Sequence, residues 1–412
     1  MRVLIPDAYF NPEITAFTHL ENDIINSLIE RGHELKVICP IPQRGIDKET
    51  QEKYRHIKHE TLMDGKIEIE RFWVPKEKSN ILSRAFRYFW CNFRGYQIGK
   101  KYKGIDMLFS ESTPPTQGLL MSMLKKKLKC SIVYSLQDVF PDSLVNAKMT
   151  KEGSLIWRAG RILEKYTYKK VDVIVTISKG IRKNLLRKGV PAEKIEMISN
   201  WVNIDNVYPV EREKNTIIDE FGVDKDKFLV VYAGNFGAAQ GADIVLKAAK
   251  ELEENREIQF VIFGGGSYFE DAKNEAQSLS NVIINPLLPQ SRVSEVYSLG
   301  DVSLITCKEG TGGASFPSKT WSIMACNTPI IASFDTESDL AEMLRASNAG
   351  ECVAAGDAKL LADAIERKYT KWKNGEGEDI NLREYVEKNA TKEICAGAYV
   401  TVMENLCNGK CK

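Results

Sequence analysis

Short apolar runs alternate with stretches in which apolar residues recur at helical spacing, from one end of the chain to the other. Residues 2–5 form a first apolar run. Leu20, Ile24 and Leu28 then lie on one helical face, Gly32 closes that helix, and residues 35–39 give the next run. Further runs fall at 105–109, 130–136 and 171–177. Strands buried on both faces and separated by amphipathic helices predict a parallel sheet covered by helices on both sides. After a connector at 200–205 the pattern restarts. A polar stretch at 211–226 leads into a strong strand at 228–233 and a helix at about 243–254. Strands at 260–263, 282–284, 302–306 and 330–333 follow, with helices between them. The pattern predicts an α/β chain of two successive units, 1–205 and 206–390, with a helix in 391–412 that packs back on the first.

Size agrees with this division, since 412 residues exceed what one hydrophobic core serves. An apolar fraction of 43% and a charged fraction of 27% are those of a globular protein. No apolar run reaches the roughly 18 residues that span a bilayer. The N-terminus turns acidic at Asp7, too soon for a secretory signal. The nine cysteines form no CxxC pair, so neither a zinc site nor a disulfide framework is expected, and a reducing cytoplasm is the simplest setting. The net charge of +1 hides an asymmetry: residues 1–205 carry 35 Lys and Arg against 24 Asp and Glu, while 206–412 carry 22 against 32. A pI near 7.5 and the lack of a reader motif argue against nucleic acid.

The stretch from Ser315 to Ser333 holds the most chemistry. Pro317 precedes a short helix that Ser318 can cap, Asn327 suits a left-handed helix end, and Pro329 prevents continuation. The free amides of that first turn, with Lys319 beside them, form a candidate anion site. Two glycine turns, at Gly234 to Gly237 and Gly264 to Gly266, follow predicted strands, where ligands of open parallel sheets bind. Taken singly they are tight turns; together with Lys319 they suggest a shared ligand cleft. No GxGxxG follows the first strand, which disfavours a nicotinamide or flavin cofactor. Asp138, after a buried strand, can contact a sugar hydroxyl or cap the next turn; Asp142 reads as a cap. Residues 82–102 place Phe86, Phe89, Trp90 and Phe93 at helical spacing among Arg84, Arg87 and Arg94, without an acid from 78 to 105. This suits a helix lying in a membrane interface, against the alternative of a core helix. The four histidines form no ligand pair, and no metal site is predicted.

These blocks resemble the retaining glycosyltransferases of family 4, with the two-domain GT-B fold. The resemblance rests on Tyr9-Phe10-Asn11-Pro12-Glu13, Arg31-Gly32-His33-Glu34, Gln137-Asp138-Val139-Phe140-Pro141-Asp142, the 194–202 segment, Tyr232-Ala233-Gly234-Asn235-Phe236-Gly237 and Pro317-Ser318-Lys319. The subgroup it is similar to makes bacterial surface polysaccharides. Two Rossmann-like domains facing a central cleft are implied, the second holding a nucleotide-diphosphate sugar, preferably uridine-linked, and the first an undecaprenyl-diphosphate-linked saccharide at the inner face of the membrane. The implied donor set is Gly234, Asn235, Phe236, Gly237, Gln240, Gly265, Leu288, Ser318, Lys319 and Ser322. The implied acceptor loop is Pro12, Glu13, Thr15 and Ala16, and Asp138 and Lys319 are the implied catalytic pair. Arg84, Arg87, Trp90, Phe93 and Arg94 are the implied membrane contacts.

The chain departs from the family pattern in several places. Asn235 and Gln240 stand where many members carry an Arg and a Lys, and Ala314 and Ser322 stand where many carry glutamates. Thr15 and Ala16 replace a glycine pair, and Glu309 is a further candidate sugar contact. The implied reaction is front-face transfer with retention, the leaving diphosphate taking the acceptor proton, without metal or cofactor. A nucleotide-sugar 2-epimerase and a non-catalytic sugar-nucleotide or membrane scaffold are the alternatives.

Overall fold

The computed structural model describes residues 1–76, 81–146, 149–238, 240–314, 316–376 and 381–409. Ser315, the side chains of Ile81, Leu82 and Ala314, and the last three residues lie outside that description. The chain forms two compact units, one of residues 1–199 with 392–412, the other of residues 200–391.

The first unit is built on eight strands: β1 (Arg2–Pro6), β2 (Glu34–Pro40), β3 (His59–Leu62), β4 (Ile67–Phe72), β5 (Met107–Glu111), β6 (Ser131–Leu136), β7 (Val173–Thr176) and β8 (Ile195–Met197). They lie in the order β3-β4-β2-β1-β5-β6-β7-β8. All neighbours pair parallel except β3 with β4. β1 sits between β2 and β5, so the direction of winding reverses beside it, and the loop after β1 opens at the point where such sheets bind ligands. Three helices, Ile81–Gly99, Gln117–Leu128 and Leu155–Lys170, lie side by side over one face. The helix Lys392–Cys407 packs on the helix Thr18–Glu30. It is tied there by Glu404 to Arg31 and His33 at 3.0 and 2.9 Å.

The second unit carries β9 (Phe228–Asn235), β10 (Ile258–Gly265), β11 (Val282–Pro286), β12 (Val302–Thr306), β13 (Ile330–Phe334) and β14 (Gly350–Ala354). They form a parallel sheet in the order β11-β10-β9-β12-β13-β14. Alternation along β9 sends Phe228, Val230 and Tyr232 into the core on one face and Leu229, Val231 and Ala233 into the core on the other. β9 stands between β10 and β12, so its carboxyl end is again the reversal point.

The polar stretch before β9 also hides the helix Ile217–Phe221, whose Ile217 and Ile218 are buried and which ends on Gly222 at φ +64°. Strands β3, β4, β8 and β14 were not expected from the sequence. The strand expected at 105–109 forms two residues later, at Met107–Glu111. The one expected at 171–177 is shortened to Val173–Thr176, because the preceding helix runs on to Lys170.

Candidate active site

The end of β9 and the helix Lys319–Ala325 meet around one cation, and the loop after β10 packs against the loop after β9. The Lys319 ammonium stands 4.2 Å from the centre of the Tyr232 ring and donates to the Ala233 carbonyl at 3.2 Å. A Cβ on Gly234 would lie 3.1 Å from that nitrogen, so glycine opens the space in front of it. No carboxylate among the described residues pairs with Lys319, and the enclosing protein lowers its pKa to about 7. Tyr232 is itself held, its hydroxyl donating to the Asn235 carbonyl at 3.3 Å and its ring meeting Phe236 edge-on.

The glycine turn is closed by backbone and amide contacts. The Phe236 amide donates to the Gly265 carbonyl at 2.6 Å, and Asn235 Nδ2 donates to Gln240 Oε1 at 3.4 Å. Gly237 lies against both of these side chains. A Cβ on Gly264 would meet the Phe269 and Phe236 rings at 2.6 and 2.7 Å, which explains a glycine there without any ligand. Leu288 is half-buried against the core of this unit. Ser322 follows Lys319 one turn along the helix.

Ser318 does not cap its helix. Its own backbone is already helical, at φ −60° and ψ −31°, so its hydroxyl has no reach to the amides ahead. Thr320 closes the turn in another way, its amide and hydroxyl both donating to the Pro317 carbonyl at 3.1 and 2.7 Å. Phe316 and Trp321 stack beside the turn at 5.3 Å, and Asn327 ends the helix at φ +60°. Two features escaped the sequence reading. One is Tyr232 beneath the lysine. The other is Asp335, whose carboxylate accepts the Gly310 and Gly312 amides at 2.9 and 2.8 Å and pins the loop that carries Glu309. Its signal was an acid placed directly after a buried strand.

In the first unit, Asp138 lies beside a cavity of about 20 Å³, room for one water, lined also by Ser112, Tyr134, Glu164 and Tyr168. The surrounding protein raises the Asp138 carboxyl pKa. Asp142 accepts from Asn184 Nδ2 at 3.0 Å and pairs with Lys188 at 2.8 Å, so its side chain braces the helix Lys179–Arg187. Glu13 is fully buried, and its Oε1 accepts the Gln43 and Arg44 amides at 2.7 and 2.8 Å, which ties the Pro12–Ala16 loop to the chain after β2. Within the loop, the Thr15 amide donates to Thr18 Oγ1 at 2.8 Å.

Asp7, Glu21 and Glu111, buried at the ends of β1 and β5 and on the helix between β1 and β2, were not anticipated as a group. Burial pushes Asp7 up to about 7, and burial together with mutual repulsion raises Glu21 and Glu111.

The aromatic helix divides differently from the expectation. Arg87 is not on the outer stripe: it is 1% exposed, with its guanidinium 4.7 Å from the Tyr9 ring centre. Its position in the helix, between the exposed Phe86 and Phe89 but on the opposite side, turns it inward. Arg94 is half-buried and donates to Gln97 at 2.8 Å, and Arg84 is half-buried. Phe86, Phe89 and Phe93 point outward, the second 69% exposed. Trp90 stacks among them and donates its indole N–H to the Trp73 carbonyl at 3.1 Å.

Known proteins share this architecture over the whole chain. Residues 22–206 match the family described as Glycosyltransferase Family 4, and residues 213–393 match Glycosyl transferases group 1. WbjE of Pseudomonas aeruginosa, named a probable glycosyltransferase, is 26% identical over 304 residues, covering 73% of this chain and 76% of its own. WcaI of Escherichia coli K12, named a putative glycosyl transferase of colanic acid biosynthesis, is 23% identical over 407 residues, covering 95% and 97%. Among solved structures, sucrose-phosphate synthase from Thermosynechococcus elongatus superposes with a TM-score of 0.76 at 17% identity over 99% of both chains. Anabaena HepE in complex with UDP superposes at 0.71 and 13% identity, over 98% of this chain and 100% of its own. With both halves matched in order and the sheets arranged as described, the chain is a glycosyltransferase of the GT-B fold.

Proposed function

We propose that the chain transfers a sugar, with retention, from a nucleotide diphosphate, preferably UDP, to a lipid-linked saccharide in bacterial surface-polysaccharide synthesis. The second unit holds the donor and the first the acceptor, at the inner face of the membrane. The observation that carries this reading is Lys319: a cation without a carboxylate partner among the described residues, at the carboxyl end of β9, with a glycine where a side chain would fill the space before it. A diphosphate supplies the missing counter-charge. As the donor bond breaks, negative charge grows on the leaving diphosphate, and a fixed ammonium beside it lowers that barrier. The acceptor proton passes to a leaving oxygen, so no protein base is required. Asn235 and Gln240 offer amide donors where a second cation would otherwise stand.

The assignment of WcaI to colanic acid biosynthesis supports the polysaccharide reading, and HepE, solved in complex with UDP, supports a uridine-linked donor. No helix among the described residues is long and apolar enough to cross a membrane, so membrane contact would be through the outward Phe86, Phe89 and Phe93 stripe. The test is a thermal-shift panel of nucleotide diphosphates and their sugars. UDP or a UDP-sugar raises the melting temperature of the wild type, and the effect shrinks in Lys319→Ala. A panel in which no nucleotide shifts the wild type defeats the reading.

A further inference from the structure

The three helices over the first sheet, Ile81–Gly99, Gln117–Leu128 and Leu155–Lys170, contain a single acid, Glu164, against eleven Lys and Arg. Glu164 is buried and neutralised by Lys188 at 2.6 Å and by Arg161, so it contributes nothing to the outer surface. The third helix carries an apolar stripe of its own. Leu155, Ala159, Ile162 and Tyr166 fall on one line at helical spacing, opposite the buried Gly160, Glu164 and Thr167. Leu155 is 83% exposed and Ile162 72%, and the exposed Met149 precedes the helix. Arg158, Lys165 and Lys169 flank this line on the outer side, and Lys126 and Lys127 are exposed on the middle helix. An apolar line flanked by lysines, on helices whose one acid is buried, matches an anionic bilayer in both of its properties.

The helices are also locked together. Gly95 and Gly99 admit Leu120 and Leu124 to within 3.0 and 2.8 Å of where a Cβ would stand, and Gly118 faces Thr167 so closely that any Cβ would overlap it. The outward stripe of the first helix and that of the third therefore sit on one rigid layer, with the lysines of the middle helix between them.

We propose that the Leu155–Lys170 helix is a second membrane foot, which with the Phe86–Phe89–Phe93 stripe seats the first unit on an anionic phospholipid surface. This rests on the membrane reading made above for the first stripe. One amphipathic line lets a protein roll about the helix axis; two lines on one rigid layer fix its tilt, and their affinities multiply because the second contact is intramolecular.

The experiment is co-sedimentation of the full chain at low salt with vesicles of phosphatidylglycerol and phosphatidylethanolamine, against vesicles of phosphatidylcholine. The wild type partitions onto the anionic vesicles. Leu155→Glu/Ile162→Glu binds them at least tenfold more weakly at an unchanged melting temperature, and Lys165→Glu/Lys169→Glu loses the salt-dependent part of binding. A wild type that stays in the supernatant defeats the membrane reading and this proposal together. Release by Phe89→Glu/Phe93→Glu, with Leu155→Glu/Ile162→Glu binding as the wild type does, defeats the second foot alone. A dimer that Leu155→Glu/Ile162→Glu turns into monomers, with vesicle binding unaltered, assigns this face to a second copy of the chain and overturns the proposal.

Discussion

The Lys319 ammonium rests 4.2 Å from the centre of the Tyr232 ring, with the Ala233 carbonyl as its hydrogen-bond acceptor and no acid among the described residues to balance it. Its pKa of about 7 lies below the ordinary 10.5 of lysine, so between those values the folded chain binds fewer protons than the unfolded one. This group alone therefore makes stability rise with pH from about 7 to 10.5. A bound diphosphate favours the charged form and draws a proton back. We expect UDP affinity to fall by about tenfold per pH unit above 7, until the pKa of the complex is reached. Calorimetry at about pH 8 in buffers of different ionisation heat measures the proton taken up. Lys319→Met binds UDP about 10- to 100-fold more weakly, as loss of a charge-assisted hydrogen bond implies, and takes up no proton at this site.

Tyr232 positions that lysine from below, by its ring and not its hydroxyl. Tyr232→Phe keeps the ring and gives up the hydroxyl's bonds, to the Asn235 carbonyl and to Thr306, neither of which reaches the lysine, so its UDP affinity stays within about threefold of wild type. Tyr232→Leu removes a cation–π contact worth about 0.5–2 kcal/mol and lowers both donor affinity and melting temperature. A Phe variant as impaired as the Leu variant would shift the role to the hydroxyl.

Asp7 supplies a pH dependence of opposite sign. Its folded pKa of about 7 exceeds the ordinary 3.8, so its contribution to stability is fully present below 3.8 and is lost as pH rises through 7. Asp7→Asn flattens the melting-temperature profile between about pH 5 and 8 and melts above the wild type at the upper end. Thermal unfolding across that range checks the crossing.

Gly118 and Thr167 set the spacing of two helices. Gly118→Ala forces them apart and costs about 1–3 kcal/mol, as overpacking does. Thr167→Ala in the same chain relieves part of the overlap, and urea denaturation of both variants reads the recovery.

Arg87 sits near Glu13, whose carboxyl pKa burial raises while the Gln43 and Arg44 amides and then the Arg87 guanidinium oppose that rise. Arg87→Glu places two acids in that pocket and destabilises the fold by about 3–5 kcal/mol. The loss of melting temperature is the same with and without lipid vesicles, which separates a buried role from a surface one.

The central strands were legible because a parallel strand buried on both faces is a continuous apolar run, as in β9 and β13. The outer ones were not, since β3 is largely exposed and β14 carries Glu351 within a mixed pattern, so their pairing follows from neighbours distant in sequence. Lys319 was legible as a candidate cation from its place at the start of a helix, but its support was not. Tyr232 reads as one more apolar strand residue until the fold sets it under the ammonium. Arg87 could not be told from Arg84 and Arg94 by composition, and only the phase of the helix assigns it to the interior. The acids Asp7, Glu21 and Glu111 are separated in the chain and gather because β1 and β5 are adjacent and Glu21 lies on the buried face of the helix Thr18–Glu30.

The eight-stranded sheet ends on β3 and β8, of four and three residues. A short border offers an incoming extended segment too few free amides and carbonyls to zip against, so the long hydrophobic strands between are never on offer to another molecule. A protein that concentrates greasy side chains on its outer helices, yet must not clump while it is being made, gains from keeping its ladder ends this brief.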